Sequence, residues 1–315
     1  MGGSPPPPPP PPSPPSPAAS ASPAGLPLPL SHGGRPLPRV GLGTSDLRGA
    51  AAEGAVACAL AAGYRHLDTA PTYRNESAVG AALVASGVPR EEVFVTTKVP
   101  PRQAGFDAAG RAVAESLRAL GLHRVDLVLV HWPGAAGVAH GDARRNRELR
   151  EGTWRALERA RAQGQCGAIG VSNFGVRHLE ELLGLASTAP CVNQIECHPE
   201  YPQRETLAFC RERGVAVVAY SSLGRGDLLG DPAVRGAAAA ASARCQRAVT
   251  PAQVLLRWAL DRGLAVIPKS GDPGRIRENL GCVADVCSLT SEEAAGLDAL
   301  GARDRKRCWD PSVVL

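Results

Sequence analysis

Short apolar runs recur along the chain and alternate with longer segments in which apolar residues return every three or four positions. Most of the runs are apolar almost throughout, as strands buried on both faces of a parallel sheet require. We predict strands at eight runs, the last of them with the weakest pattern: 64–70, 93–99, 125–131, 166–172, 191–197, 214–222, 263–270 and 282–287.

The segments between the runs carry helix signals. Thr250 and Gln253 have the spacing of a capping box, and Thr290 with Glu293 repeats it. Apolar residues follow one face of two further predicted helices, 107–121 and 151–164.

Eight strands alternating with helices predict an α/β fold of the (β/α)8 TIM-barrel type. An open doubly wound sheet is the alternative. Such a sheet normally carries GxGxxG after its first strand, whereas the nearest match, at Gly41 and Gly43, lacks the third glycine and precedes the first predicted strand. We therefore predict one barrel domain over residues 35–315.

The first 34 residues differ from the rest. Residues 5–12 are unbroken proline, followed by serine, proline and alanine repeats. A segment without core-forming side chains is predicted to be disordered or polyproline II. An inert tail is the simpler interpretation, and weak docking to an SH3 or WW domain is the alternative.

The composition limits the classes of partner and ligand that we expect for this chain. A net charge of +5 is spread over the 315 residues and only 4% are aromatic, so we expect no nucleic-acid partner. No apolar stretch approaches the ~20 residues of a membrane span, and no HxH or carboxylate cluster suggests a metal. The nine cysteines include no CxxC and lie mostly in apolar runs, as buried free thiols of a cytoplasmic protein would.

Candidate chemistry begins with lysine. Of the 35 basic residues only three are lysines, Lys98, Lys269 and Lys306, and the first two end predicted strands. An ammonium is a compact charge whose pKa responds to its surroundings, unlike that of a guanidinium. This usage suggests a site that needs a point charge or a tunable amine.

Three neighbouring strand ends carry Asp68, Lys98 and His131, and Tyr73 lies in the first loop. In a barrel these ends converge on one mouth. A phenol with a pKa near ~10 is a poor acid at neutral pH, but an adjacent ammonium lowers that pKa. Asp68 would keep the lysine charged, and His131 would orient a carbonyl oxygen, so the group predicts a proton donor for carbonyl chemistry.

Seven ordered blocks resemble the signatures of the aldo-keto reductase superfamily: HLDTAPTYRNE, VTTKV, LVHWPG, GVSNF, NQIECHP, AYSSLG and IPKSGDPGRIREN. They lie within residues 39–309. The resemblance implies a barrel that binds NADPH without a Rossmann domain and reduces aldehydes or ketones to alcohols by hydride transfer. It implies four catalytic residues, with the tyrosine as general acid: Asp68, Tyr73, Lys98 and His131.

The resemblance also implies the cofactor contacts. The nicotinamide carboxamide would be held by Ser172, Asn173 and Gln194, and its ring would stack on Tyr220. The pyrophosphate would meet Ser221, Ser222 and Leu223. The 2′-phosphate would meet Lys269, Ser270 and Arg275, and the adenine would meet Glu278 and Asn279.

Physical arguments bear on these contacts. Two cations at a helix start favour the extra phosphate of NADP over NAD, because backbone N–H groups and the helix dipole favour an anion there. The alternative is that Lys269 and Arg275 form surface salt bridges with Asp272 or Glu278. The amides of residues 173 and 194 would alternatively satisfy buried backbone groups.

The substrate pocket departs from the family. Ser45 stands where many members carry a tryptophan, and Gly271 replaces a common aliphatic residue. Trp132 matches a pocket-lining tryptophan, although packing at the barrel rim would equally explain it. The short stretch from His131 to Trp154 favours small aldehydes or ketones over a bulky steroid.

Two other functions remain open at this point. A Schiff-base aldolase would use Lys98 or Lys269 as its nucleophile. A non-catalytic NADPH-binding interaction subunit would use the proline-rich tail as its docking element.

Overall fold

The computed structural model describes residues 26–31 and 33–315, and its centre is a barrel of eight parallel strands in chain order. Parallel bridges from Val40 to Val266 and from Gly43 to Lys269 join the first strand to the last and close the barrel. The predicted TIM-barrel fold is confirmed. The strands are β1 Leu42–Gly43, β2 His66–Asp68, β3 Phe94–Val99, β4 Val125–Val130, β5 Cys166–Ser172, β6 Val192–Glu196, β7 Ala216–Tyr220 and β8 Ala265–Val266.

Helices surround the barrel and connect successive strands. They are α1 Gly49–Ala62, α2 Glu76–Ala85, α3 Phe106–Leu120, α4 Ala143–Ala162, α5 Val176–Leu183, α6 Arg204–Glu212, α7 Pro232–Cys245, α8 Pro251–Asp261, α9 Pro273–Ala284 and α10 Ser291–Asp298. Short 3-10 helices lie at Pro71–Tyr73, Arg90–Glu92, Pro101–Gln103, Gly224–Gly230, Ala299–Arg303 and Pro311–Val313. Both predicted capping boxes are present, at the starts of α8 and α10.

One predicted strand is wrong. Residues 282–284 end helix α9, in which Ile276, Asn279 and Cys282 are buried at helical spacing, and residues 285–287 lie in the connector that follows. The eighth strand is instead β1, which the sequence pattern did not predict. A Cβ at Gly43 would lie 2.5 Å from the Ile267 carbonyl oxygen, so the glycine that hides this strand allows the barrel to close.

The first described residues contact the barrel. Leu28 pairs with Leu37 in an antiparallel bridge, and both side chains are buried. They pack with Phe94 inside the N-terminal end of the barrel, and Ser31 Oγ donates to the Gly214 carbonyl oxygen at 2.8 Å. Part of the segment predicted as a tail over residues 1–34 thus meets the barrel, while the predicted disorder and docking of residues 1–25 and 32 fall outside the described residues, and the boundary at residue 35 stays a prediction.

The apolar core has two parts. The larger lies between the sheet and the helices and includes the fully buried Trp154 and Trp258. The smaller fills the N-terminal half of the barrel interior around Leu127 and Leu129. Across the described chain, no helix is long and apolar enough to cross a membrane. Above the inner apolar layer, the C-terminal end of the barrel is polar, and the candidate site lies there.

Candidate active site

The carboxyl ends of β2, β3 and β4 bring four reactive side chains to one mouth of the barrel. Lys98 Nζ donates to Asp68 Oδ1 at 2.5 Å and to the Thr69 carbonyl oxygen at 3.1 Å. The Tyr73 hydroxyl lies 3.4 Å from the same nitrogen. The rings of Tyr73 and His131 meet edge to face, with centroids 5.7 Å apart. The structure thus brings the four predicted side chains together at the mouth of the barrel.

The charge of Lys98 follows from its neighbours. Its side chain is wholly buried, and burial alone would lower the pKa of the ammonium. The Asp68 carboxylate and the Tyr73 hydroxyl more than reverse this, so the pKa of Lys98 lies above its ordinary value. Lys98 is therefore a permanent cation in the folded protein.

The pKa of Tyr73 does not follow the prediction. Burial raises the pKa of the phenol, the Lys98 ammonium lowers it, and the Asp68 charge raises it again, with a net increase. The expected decrease is wrong because burial of the phenol outweighs the effect of the Lys98 ammonium, which the nearby Asp68 charge also opposes. Tyr73 therefore keeps its proton throughout the neutral pH range.

His131 follows β4 and is neutral. Burial, with a smaller effect of the Lys98 ammonium, lowers the pKa of its imidazole to about 3. Its Nδ1 atom is buried without a hydrogen-bond partner in the described chain. The ring thus lies at the mouth as a neutral polar group beside Tyr73.

The predicted carboxamide residues are hydrogen-bonded to one another and to the residues around Lys98. Gln194 Nε2 donates to Asp68 Oδ2 at 2.7 Å, and Ser172 Oγ donates to the Gln194 carbonyl oxygen at 2.8 Å. Asn173 Nδ2 donates to the His131 carbonyl oxygen at 2.9 Å, as the alternative interpretation of this amide expected. A bound carboxamide would have to exchange some of these bonds.

Tyr220 ends β7 and closes this polar ring. Its hydroxyl donates to Asn173 Oδ1 at 2.6 Å, and burial raises the pKa of the phenol well above its ordinary value. Ser221 follows in a left-handed conformation at φ 51° with its Oγ 3.5 Å from Cys308 Sγ, and Ser222 Oγ donates to the Ala219 carbonyl oxygen. Half-buried Leu223 precedes the 3-10 helix at Gly224–Gly230. The predicted pyrophosphate residues thus adjoin the ring.

Two exposed cations flank the start of α9. Within residues 26–31 and 33–315, Lys269 and Arg275 form no ion pair, so the predicted alternative of surface salt bridges is not realised. Asp272 caps the helix, and its Oδ1 accepts from the Arg275 N–H at 2.8 Å. The Asp272 carboxylate thus accepts from one of the backbone N–H groups that were predicted to bind an anion. The side chains of Lys269 and Arg275 have no ion-pair partner among the described residues.

The other residues near α9 differ in whether their side chains already make hydrogen bonds. Ser270 is buried, and its Oγ accepts from the Asp272 N–H at 3.0 Å. Glu278 Oε1 accepts from Thr250 Oγ1 at 2.7 Å, which ties it to the cap of α8. The Asn279 side chain is buried and makes no hydrogen bond within the part of the chain that the structure describes. Of the predicted adenine pair, only Asn279 has an uncommitted side chain.

Trp132 lies beside His131 at the rim of the mouth. Its indole is half-buried and meets the Trp309 ring edge to face, with centroids 6.3 Å apart. Trp309 is 83% exposed, and Ser45 is half-buried. The two indoles form one aromatic surface at the rim, and a contact of Trp132 with substrate stays a prediction.

Sequence reasoning missed Asn75, which fixes the loop that carries the phenol. Its Nδ2 donates to the carbonyl oxygens of Thr44 at 2.8 Å and Leu47 at 2.9 Å, and its Oδ1 accepts from Thr69 Oγ1 at 2.7 Å. The amide is 1% exposed. It lies in the block HLDTAPTYRNE two residues past the tyrosine. No local sequence pattern predicts its three side-chain hydrogen bonds.

Replacing this amide is expected to be costly. Asn75→Ala leaves the Leu47 carbonyl oxygen and the Thr69 hydroxyl without a partner and removes one of the two bonds to the Thr44 carbonyl oxygen, so we expect the free energy of unfolding to fall by about 2–4 kcal/mol. Urea unfolding measures it. Gln103→Ala is the matched control, because that amide makes a single exposed bond, to Glu115, and its loss should cost less than about 0.5 kcal/mol. Similar losses in both variants would contradict the role of Asn75.

Lys306 also has a partner that the sequence did not predict. Its Nζ lies 2.7 Å from Glu196 Oε2 at the end of β6. The Glu196 carboxylate also accepts the N–H groups of Arg307 at 2.5 Å and Cys308 at 3.0 Å. Burial alone would raise the pKa of Glu196, but His198, Lys306 and Arg307 lower it to about 2. This ion pair and these hydrogen bonds to Glu196 hold the C-terminal segment next to the mouth of the barrel.

Comparison with known proteins agrees with this geometry. The model of the Aldo/keto reductase family matches residues 39–302. An aldo-keto reductase of Mycolicibacterium vanbaalenii is 43% identical over 284 residues, which cover 90% of this chain and 95% of the relative. A 9,11-endoperoxide prostaglandin H2 reductase of Trypanosoma cruzi is 40% identical and covers 87% of this chain and 91% of its own.

Solved structures point the same way. The crystal structure of an aldo/keto reductase from Brucella melitensis superposes with a TM-score of 0.79 at 35% identity, covering 88% of this chain and 98% of its own. The family match spans most of the chain, and the relatives are covered almost from end to end. The chain belongs to the aldo/keto reductase family.

Proposed function

We propose that this oxidoreductase reduces small aldehydes or ketones to alcohols with NADPH as the reductant. One observation carries the proposal: a buried ammonium, Lys98, contacts both a carboxylate and a phenol beside a neutral imidazole at the open end of the barrel. This arrangement can deliver one proton to a carbonyl oxygen.

Tyr73 is the proposed proton donor. A phenol that stays protonated at neutral pH donates a hydrogen bond to the carbonyl oxygen and gives up its proton as that oxygen becomes an alkoxide, which is a far stronger base. The Lys98 ammonium, 3.4 Å from the hydroxyl, stabilises the phenolate that remains. Asp68 keeps Lys98 charged. The raised pKa of Tyr73 keeps the phenol protonated, as a proton donor must be before the reaction.

His131 is the proposed orienting group. A neutral imidazole presents one N–H donor. The rings of Tyr73 and His131 meet edge to face, so a carbonyl oxygen that accepts from the imidazole would also lie near the phenol. The charged form is disfavoured by burial and by Lys98. His131 thus adds a donor without competing for the proton that Tyr73 transfers.

NADPH supplies a hydride when it is bound. The residues fit it best at the adenosine end, where Lys269 and Arg275 are cations without an ion pair and Asn279 has a free amide in the described chain. We propose that Lys269, Ser270 and Arg275 hold the 2′-phosphate and that Asn279 meets the adenine, with Glu278 beside it. We propose Ser221, Ser222 and Leu223 for the pyrophosphate.

At the nicotinamide end we propose Ser172, Asn173 and Gln194 for the carboxamide and Tyr220 for the ring face. These side chains already bond to one another and to Asp68, so binding there would exchange existing bonds. The proposal for this end rests on the family resemblance together with the position of the polar ring beside Tyr73.

The aldolase alternative requires a neutral Lys98. The ion pair with Asp68 favours the charged amine instead, because it raises the pKa of Lys98. Lys269 is exposed, and within the described residues it makes no hydrogen bond or ion pair with the residues around Lys98. Borohydride trapping of a substrate adduct on Lys98 would support the aldolase over the reductase.

The substrate class is tested with a panel of small aldehydes and ketones, followed by the absorbance of NADPH. We expect NADPH oxidation with several members of the panel and a matching amount of alcohol. Cofactor binding without turnover of any carbonyl would favour the non-catalytic subunit over the enzyme.

Cofactor preference is expected to depend on Arg275. Arg275→Ala should weaken NADPH binding about 10–100-fold, because a charge-assisted bond to the 2′-phosphate is lost, and should leave NADH binding nearly unchanged. Calorimetric titration with both cofactors measures this. Arg277→Ala is the matched control on the same helix, since its guanidinium contacts Cys58 instead of facing the cofactor site. Equal losses for NADPH and NADH would show that Arg275 does not touch the phosphate.

A further inference from the structure

A pair of cysteines lies at the protein surface, away from the catalytic mouth. Cys245 is the last residue of α7, and Cys287 is in the connector between α9 and α10. The Cys287 N–H donates to Cys245 Sγ at 3.2 Å, which places the Cys245 sulfur against the backbone of Cys287. Cys245 is half-exposed and Cys287 is exposed. Both sulfur atoms are therefore adjacent and open to a small oxidant.

The two thiols differ in their affinity for a proton. Burial of Cys245 would raise its pKa, but the thiol and N–H of Cys287 and the Arg244 guanidinium lower it below the ordinary value. The pKa of Cys287 is raised, chiefly because its proton is held in the hydrogen bond to Cys245. Cys245 is thus the more acidic thiol of the pair and the one that forms a thiolate more readily.

Charged groups surround the pair on every packed element. Arg244 is paired with Glu293 of α10 at 2.9 Å, and Arg247 with Asp285 at 2.8 Å. Both ion pairs are at least partly exposed, and such pairs contribute little to stability. The connector is thus joined to the end of α7 mainly by weak surface contacts and the thiol pair.

We propose that Cys245 and Cys287 are an oxidisable dithiol that closes into an intramolecular disulfide when the protein meets a peroxide. The proposal concerns a modification site separate from the reductase site and does not rest on the proposed function. Both partners are already in hydrogen-bond contact, so closing the bond requires only that the two sulfur atoms approach.

The chemistry takes two steps. The Cys245 thiolate attacks one peroxide oxygen, the O–O bond breaks, and a sulfenic acid forms while hydroxide leaves and is protonated to water. The Cys287 sulfur then attacks the sulfenic sulfur, the S–O bond breaks, and the departing hydroxide takes the Cys287 proton. Two thiols lose two electrons, and one peroxide becomes two waters.

The disulfide would tie the end of α7 to the connector after α9 and close residues 246–286 into a loop. A loop of this length restricts the unfolded chain strongly, so we expect the Tm to rise by roughly 5 °C on oxidation. A reductant such as dithiothreitol should reverse the rise.

The experiment treats the full-length protein with a slight excess of hydrogen peroxide, alkylates the remaining thiols and measures the mass. Trypsin releases Cys245 in residues 245–247 and Cys287 in residues 278–303, which also contain Cys282. Fragmentation of the linked peptides therefore has to place the bond at Cys287. We expect a loss of about 2 Da and this one link.

Variants separate the pair from the other thiols. Cys245→Ser and Cys287→Ser should each abolish the link and the rise in Tm, whereas Cys58→Ser, the control at another half-exposed cysteine, should keep both. The proposal is overturned if oxidised Cys245 accumulates as sulfinic acid, if the link joins two molecules, or if both thiols remain alkylatable after peroxide.

Discussion

Tyr73→Phe is expected to lower kcat for carbonyl reduction by about 10²–10⁴-fold, because the ring stays and only the proton donor is lost. The Phe ring retains the contact with His131 and leaves the Lys98–Asp68 ion pair in place. NADPH affinity should stay nearly unchanged, since the hydroxyl has no assigned cofactor contact. The effect is thus expected in the chemical step and not in folding.

Turnover with one aldehyde and calorimetric NADPH binding measure the two halves of this expectation. Tyr64→Phe is the matched control: its hydroxyl is buried, donates to the Ile276 carbonyl oxygen at 2.9 Å and makes no hydrogen bond to the residues around Lys98 in the described chain. That variant should lose some stability and keep its kcat. A Tyr73→Phe protein that turns over normally would rule out Tyr73 as the acid.

Lys98→Met is expected to damage both stability and rate. Asp68 would be left buried, with Gln194 as its one remaining side-chain partner in the described residues, and breaking such a pair costs about 3–5 kcal/mol. The phenolate left by Tyr73 would also lose its nearest cation. We therefore expect a lower free energy of unfolding together with a fall in kcat of at least about 10²-fold.

The double variant Lys98→Met with Asp68→Asn separates the two effects. The neutral amide introduced in place of the Asp68 carboxylate no longer needs a cation, so urea unfolding should show most of the stability restored. Activity should stay low, because the ammonium beside the phenol is still absent. A double variant that regains normal turnover would show that Lys98 acts only through stability.

The sequence predicted the barrel because its buried strands have long, nearly continuous apolar runs. It failed at β1, which has two residues and a glycine at the closing contact with Ile267. It failed again at 282–287, where apolar residues serve one face of a helix end. In both places a short pattern is ambiguous between strand and helix, and tertiary contact decides.

The position of Asp68, Lys98 and His131 at one mouth was predictable because barrel topology brings strand ends together, while their catalytic roles stay a prediction. The net pKa shift of Tyr73 was not predictable, since it depends on burial outweighing a nearby cation that is itself paired. Two of the three Asn75 bonds, and the bonds from the C-terminal segment to Glu196, join residues far apart in sequence. Local patterns carry no signal for such contacts.

The most direct test of the reductase follows the hydrogen itself. The protein is incubated with NADPH that carries deuterium at both C4 positions and with an aldehyde that the panel identifies, and the alcohol is analysed by mass spectrometry. The account predicts one deuterium on the former carbonyl carbon of every alcohol formed. Unlabelled alcohol, or binding of NADPH with no alcohol from any carbonyl, would contradict it.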